Sequence, residues 1–116
     1  MPLHLIKLCV GCDSVEQLRA WRAAQPRAVC HTRQTPKRAT ECLAGGSLYW
    51  VIRGAVLCRQ PILAVDTIGD GPVSRCEIVL GPEVVLTEPQ PRRAFQGWRY
   101  LTVADAPADL VASNDG

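Results

Sequence analysis

From residue 47 onward the chain is a succession of short β-forming runs cut by glycine and proline, and this constrains the fold more than any other feature. Residues 47–53, 55–58, 62–68, 73–80, 83–87 and 98–103 are each short and rich in Val, Ile, Leu and aromatic residues, as strands require. Gly54 reads as a bulge or kink through which pairing continues. Gly69-Asp70-Gly71-Pro72 reads as a hairpin turn. Residues 88–97, with Pro89, Pro91 and two arginines, are expected to be irregular. Nine glycines and nine prolines in 116 residues suit a turn-rich, strand-rich domain better than a helical bundle.

The first part of the chain alternates differently. Residues 3–10 read as a strand, with His4, Ile6, Leu8 and Val10 on one face. A helix is expected from Asp13 or Ser14 to about Ala24, with Ser14 and Gln17 as a candidate capping box and Pro26 as its stop. Val15, Leu18 and Trp21 recur at helical spacing and should face the core, while Glu16, Arg19 and Arg22 point outward. Residues 28–33 form a candidate second strand. Thr35 can cap a short helix over 36–44 that has Pro36 at its first position and Gly45 at its end. A terminal helical turn is expected over 105–111. The order is strand, helix, strand, helix, then hairpin-like strands. It predicts an α+β fold: a small, mostly antiparallel β-barrel with two short helices, in one domain over residues 1–111 with a flexible tail at 112–116.

A chain of this length can bury roughly two thirds of its unfolded surface, so one core suffices without staples. The opening LHLIKLCV is short and lacks a basic leader, and no apolar run approaches the ~20 residues of a membrane span. The expected setting is cytoplasmic, with no membrane partner. The six cysteines then read as reduced thiols, several at apolar positions.

Charge is unevenly distributed. Residues 17–60 carry eight basic groups and one acid (+7), residues 61–116 four arginines and eight acids (−4), and residues 1–16 a net −1. This asymmetry points to a basic face. On the strand 47–53, alternation places Tyr49 and Arg53 on one face and Trp50 with Leu48 and Ile52 on the other, so Trp50 is assigned to the core. Tyr49 can stack on a base while Arg53 pairs with a phosphate. Lys37 and Arg38 fall in the first turn of the short helix, against the dipole preference, which suits gripping an anion. Arg33 lies just upstream. A second basic-aromatic cluster runs from Pro91 to Tyr100. In it Arg92 and Arg93 are the exposed members, Trp98 opens the last strand, and Phe95 serves either a ligand or as a plug for the barrel end.

Cys9 and Cys12, with Cys30 and His31, have the atoms for zinc but lack a second CxxC or a CxxxH pair, so no metal or other cofactor is assigned. No GxSxG, HExxH or P-loop pattern appears, and no catalytic residue is assigned.

At HLIKLCVG, TPKRATECLAGGSLYWVIRG and TEPQPRRAFQGWRYL the chain resembles an uncharacterised bacterial family, known chiefly from alphaproteobacteria and defined as a domain of unknown function. The resemblance spans Leu3 to about Leu110. It implies a small cytosolic protein and makes Lys37, Arg38, Gly45, Gly46, Tyr49, Trp50, Arg59, Arg92, Arg93 and Trp98 candidate family residues. A helix running into a Gly turn and a strand also looks like the PUA and ASCH group of small barrels. Many of these bind RNA in a cleft beside their first helices, and some ASCH members hydrolyse modified nucleosides. Gly45-Gly46-Ser47-Leu48-Tyr49-Trp50 lacks the Lys, Thr and Glu of the ASCH motif, so the resemblance carries the cleft rather than the hydrolase. The expected function is binding of RNA or a nucleotide, with Lys37, Arg38, Arg53 and Arg59 on phosphates, Tyr49 stacking, and the loop from Arg92 and Arg93 to Trp98 closing one side. An ASCH-like hydrolase of a modified nucleoside or amide is one alternative, and a protein-interaction module the other.

Overall fold

The computed structural model describes residues 2–25 and 27–110. Among these, seven strands and two helices follow one another as β1 (His4–Leu8), α1 (Val15–Ala24), β2 (Ala28–Thr32), α2 (Ala39–Leu43), β3 (Ser47–Ile52), β4 (Ala55–Ile68), β5 (Arg75–Leu80), β6 (Val85–Pro91) and β7 (Trp98–Leu101). The strands join in the order β2-β5-β4-β3-β1-β7, with β6 on β4. The β1–β3 ladder is parallel and the others are antiparallel. The fold is thus α+β with a mostly antiparallel sheet.

The sheet is open, and the expected closed barrel does not form. Its outermost strands β2 and β7 do not pair. Where closure would occur a side chain takes the place of a ladder: the Trp98 indole Nε1 donates to the carbonyl of Gln34, just beyond β2, at 2.8 Å. The gap this leaves becomes the candidate site.

Strand β4 is the spine. Residues 55–59 pair with β3 and with β6, which must therefore lie on opposite edges, and residues 62–68 pair with β5. Pro61, in the gap between the expected strands 55–58 and 62–68, lies inside it. It falls between the β6 and β5 ladders, where a missing N–H removes no ladder bond, and its carbonyl accepts from Gly81 at 2.8 Å. Gly54 is not a bulge. Arg53 (φ 51°) and Gly54 (φ 85°) form a two-residue hairpin turn with Ile52 paired to Ala55, and positive φ at both centres matches the right-handed strand twist. The hairpin at 69–72 forms as expected, with Ile68 opposite Arg75.

Several local expectations are corrected. Strand β6 extends to Pro91, so the first four residues of the segment read as irregular belong to a strand paired with β4. Helix α2 starts at Ala39, because the Thr35 hydroxyl bonds Thr67 (2.8 Å) instead of capping. Lys37 and Arg38 therefore precede the helix, and the dipole argument for them lapses. Gly45 does end α2, at φ 101°. In place of a helical turn after residue 105, Asp109 bridges to Thr87. Helix α1 ends at Ala24 as expected and is capped by Ser14, whose hydroxyl accepts from the Gln17 N–H at 3.1 Å. Pro26, Val111 and the tail 112–116 lie outside the described residues.

The main core lies on one face of the sheet, where Leu5, Leu48, Trp50, Ile52, Ile78 and Leu80 meet Val15 and Leu18 of α1. Trp21, expected there, is not part of it and is 39% exposed. Inside this core Gln60 is fully buried and satisfied: its Oε1 accepts from Trp50 Nε1 (2.9 Å) and Arg22 Nε (3.2 Å), and its Nε2 donates to the Gly81 carbonyl (2.9 Å). Trp50→Phe removes one donor while Arg22 still serves Gln60 Oε1, so a loss of about 1–2 kcal/mol is expected. The chemical-denaturation midpoint measures it, and no shift would show that the indole bond contributes nothing. A smaller cluster on the other face joins Ile6, Tyr49, Val51, Val56 and Leu101, covered in part by Phe95. Phe95 packs against this cluster, and with the sheet open there is no barrel end for it to plug.

Candidate nucleic-acid interface

The gap between the unpaired strands holds a groove of about 430 Å³. One wall is the end of β2 and the residues after it, His31 to Gln34, and the other is Gln96 to Arg99 at the start of β7, with Lys7 of β1 beside them. Lys7 is the cross-strand partner of Trp98, which fixes their proximity. Trp98 is held twice, by its bond to Gln34 and by edge-on packing against Tyr100 at 4.9 Å between ring centroids. Lys7, Arg33 and Arg99 make no ion pair among the described residues, and no carboxylate lines the groove. Arg99 is steadied by cation–π contact with Phe95, its guanidinium carbon 4.9 Å from the ring centre. His31 faces away in part, bonding Glu77 through Nε2 at 3.2 Å. That bond, followed by the neighbouring Arg27, holds the Glu77 carboxyl below its usual range.

The residues expected to form one cleft divide into four places. Trp98 lines the groove. Lys37 and Arg38 do not line it; Arg38 meets the aromatic pair behind it, its backbone N–H donating to the Tyr100 hydroxyl (3.1 Å) and its guanidinium 5.7 Å from that ring's centre. The Arg38 charge is already matched by a two-point bond to Glu41 at 2.7 and 2.6 Å. Arg53, Arg92 and Arg93 gather around the β3–β4 turn, where the Arg92 N–H donates to the Gly54 carbonyl at 2.8 Å. From there the β6–β7 loop runs to the groove, since Gln96 and Gly97 line it.

Tyr49 and Arg59 are elsewhere. Strand β3 sits between β1 and β4 with all six residues buried, so Tyr49 is only 4% exposed and offers no open stacking face. Arg59 is opposite Tyr49 on β4 and forms a fork with Asp109 (2.8 and 2.7 Å), while its Nη1 donates to the Ser47 hydroxyl (2.9 Å). His4 completes this cluster, edge-on to Tyr49 at 4.9 Å, its Nδ1 accepting the Ser47 N–H at 3.0 Å.

Burial lowers the His4 pKa below 6.5; the Arg59 charge adds to this and Asp109 opposes it. A histidine whose folded pKa is depressed contributes stability that is complete above its unfolded value and lost as pH falls through the folded one. The melting temperature should therefore decline on acidification below about pH 6.5, and His4→Gln should flatten that limb. An unchanged slope in the variant would remove His4 as its cause.

Lys7 and Arg99 were missed at the sequence level. Lys7 lies in an apolar strand and Arg99 in the acidic part of the chain; only the β1–β7 pairing brings them to Arg33. The cysteines do not assemble a centre. Cys9 and Cys12 are buried in the core, Cys30 sits on β2, and among the described residues no three of His, Cys, Asp and Glu are placed to hold a metal. Burial raises the Cys9 thiol well above its ordinary range and Cys58 to about 12. No helix among the described residues is long and apolar enough to cross a membrane.

Fold and groove define a small α+β protein with an open sheet and a cationic aromatic groove between its ends. The chain belongs to the family described as "Protein of unknown function (DUF1489)", whose model matches residues 5–116. No curated protein and no solved structure matches it significantly.

Proposed function

We propose that this protein binds single-stranded RNA or a nucleotide in the groove between β2 and β7. The observation that carries the reading is the set of three cations, Lys7, Arg33 and Arg99, unpaired around a fixed indole in a groove free of carboxylates. Unmatched cations suit phosphates, and the immobilised ring of Trp98 suits a base, because base–aromatic stacking is tolerant of sequence. A groove of about 430 Å³ lies within the range of small-ligand sites. The likeness to the PUA and ASCH group supports the reading by analogy, since the groove lies beside the connection from β2 to α2. Here the PUA-like framework would be one left unclosed at its ligand site. Lys37 and the loop arginines Arg92 and Arg93 extend the cationic surface on either side.

Fluorescence anisotropy with labelled single-stranded RNA across a salt series tests the proposal. Salt-sensitive binding that weakens in Lys7→Ala/Arg33→Ala/Arg99→Ala is expected. Absence of binding to any RNA or nucleotide at low salt would overturn it.

A further inference from the structure

On the sheet face opposite the main core, we propose that the pocket of about 440 Å³ formed by His4, Tyr49 and Arg59 beneath the chain after β7 binds a small organic carboxylate. This site is separate from the groove and does not depend on the reading above.

The pocket is built from the interior outward. His4 is 9% exposed and Tyr49 4%, and both line it. His4 is kept neutral by burial, and its Nδ1 accepts the Ser47 N–H, so its proton is on Nε2. Burial likewise raises the Tyr49 pKa, preserving a phenol that donates. Neither the His4 Nε2–H nor the Tyr49 hydroxyl bonds another described residue, and neither atom is sealed inside the core, so both remain open to a ligand through the pocket. Of the five Arg59 N–H groups, two bond Asp109 and one bonds Ser47, which leaves two. The three residues that line the cavity thus hold four uncommitted donors between them. A carboxylate offers about four lone-pair sites, which matches that count.

The chain supplies evidence for the ligand's chemistry through Asp109. Its carboxylate already occupies one edge of the Arg59 guanidinium in two-point geometry. The segment that carries it is held by the Glu88 N–H to the Ala108 carbonyl (2.8 Å) and the Leu110 N–H to the Leu86 carbonyl (2.9 Å). A monoanion can share the remaining Arg59 donors or displace Asp109. A phosphate dianion would meet stronger repulsion from Asp109, and a neutral amide would gain nothing from the guanidinium charge.

The test is a two-dimensional NMR titration following the His4 imidazole and the Ser47 amide, with acetate and benzoate as probes and phosphate and acetamide at matched ionic strength as the other arms. Saturable shifts with the carboxylates are expected. Tyr49→Phe, which removes one hydroxyl and keeps the ring in the core, should weaken binding about fivefold. Asp109→Asn removes the competing charge and should tighten it. The proposal is overturned by a shift that never saturates in wild type and Asp109→Asn, by equal affinity in Tyr49→Phe, or by saturation with phosphate or acetamide but no carboxylate.

Discussion

Gly46→Ala should cost more stability than any other single methyl added to this chain, about 4 kcal/mol or more, and lower the melting temperature by roughly 15 °C. The added Cβ would stand 2.2 Å from the Leu3 carbonyl oxygen and 2.6 Å from that of Cys42. Both are backbone atoms, so no rotamer change relieves the clash. Leu3 leads into β1 and Cys42 is the fully buried anchor of α2, and the two segments are tied by the Leu3 N–H to the Glu41 carbonyl at 3.2 Å. Gly46 is itself bonded both ways, its N–H to the Cys42 carbonyl (2.9 Å) and its carbonyl from the Ile62 N–H (3.0 Å). Moving α2 out to make room breaks these bonds and opens the core at Cys42. Ordinary overpacking costs about 1–3 kcal/mol, and the rigidity of both neighbours puts this site above that range. Gly11→Ala provides the comparison. Gly11 has φ 75° with open space around its would-be Cβ, so only the backbone penalty of about 1 kcal/mol applies. Thermal melts of the two variants decide the matter. If Gly46→Ala melts with Gly11→Ala, the close approach of α2 to β1 is wrong.

The same Gly45-Gly46 step shows what was legible from the residues. Local signals were read well: the capping box of α1, the positive-φ glycine that ends α2, the hairpin at 69–72, and Trp50 inside the core. Each depends on a few neighbouring residues. The misreadings share another origin. Tyr49 alternates with Trp50 as an outward residue would, but a strand with neighbours on both edges and both faces covered has no outward side, and alternation cannot reveal that. Arg53-Gly54 lacks the usual Asn-Gly signature of a tight hairpin, so the reversal there passed for a kink. The groove was the least legible feature. Its cations come from β1, from the residue after β2 and from β7, and the parallel β1–β3 pairing that sets β7 beside β1 leaves no local trace. Charge counting by segment pointed to the middle of the chain, whereas the fold recruits Arg99 from the acidic end and spends Arg38 and Arg59 on Glu41 and Asp109.

That distinction between matched and unmatched cations yields the largest functional effect. For a single strand, log affinity falls with log salt at about −0.7 per phosphate contact. Loss of Lys7, Arg33 and Arg99 together should therefore reduce the slope by about 2 and weaken RNA binding about 100-fold at 0.1 M salt, with the difference vanishing towards 1 M. Arg38→Ala should change the slope little, because Arg38 is already bonded to Glu41 at 2.6–2.7 Å. Arg59→Ala should leave it unchanged, since Arg59 is matched by Asp109 on the other face of the sheet. Trp98→Ala should lower affinity about 5- to 100-fold at every salt concentration while preserving the slope, because stacking is worth about 1–3 kcal/mol and involves no counterion. Anisotropy titrations of these variants at four or more salt concentrations separate the contributions. A full slope in the triple variant would move the phosphate path to Arg53, Arg92 and Arg93 around the hairpin turn, and a slope that collapses in Arg59→Ala would place it on the Tyr49 face instead.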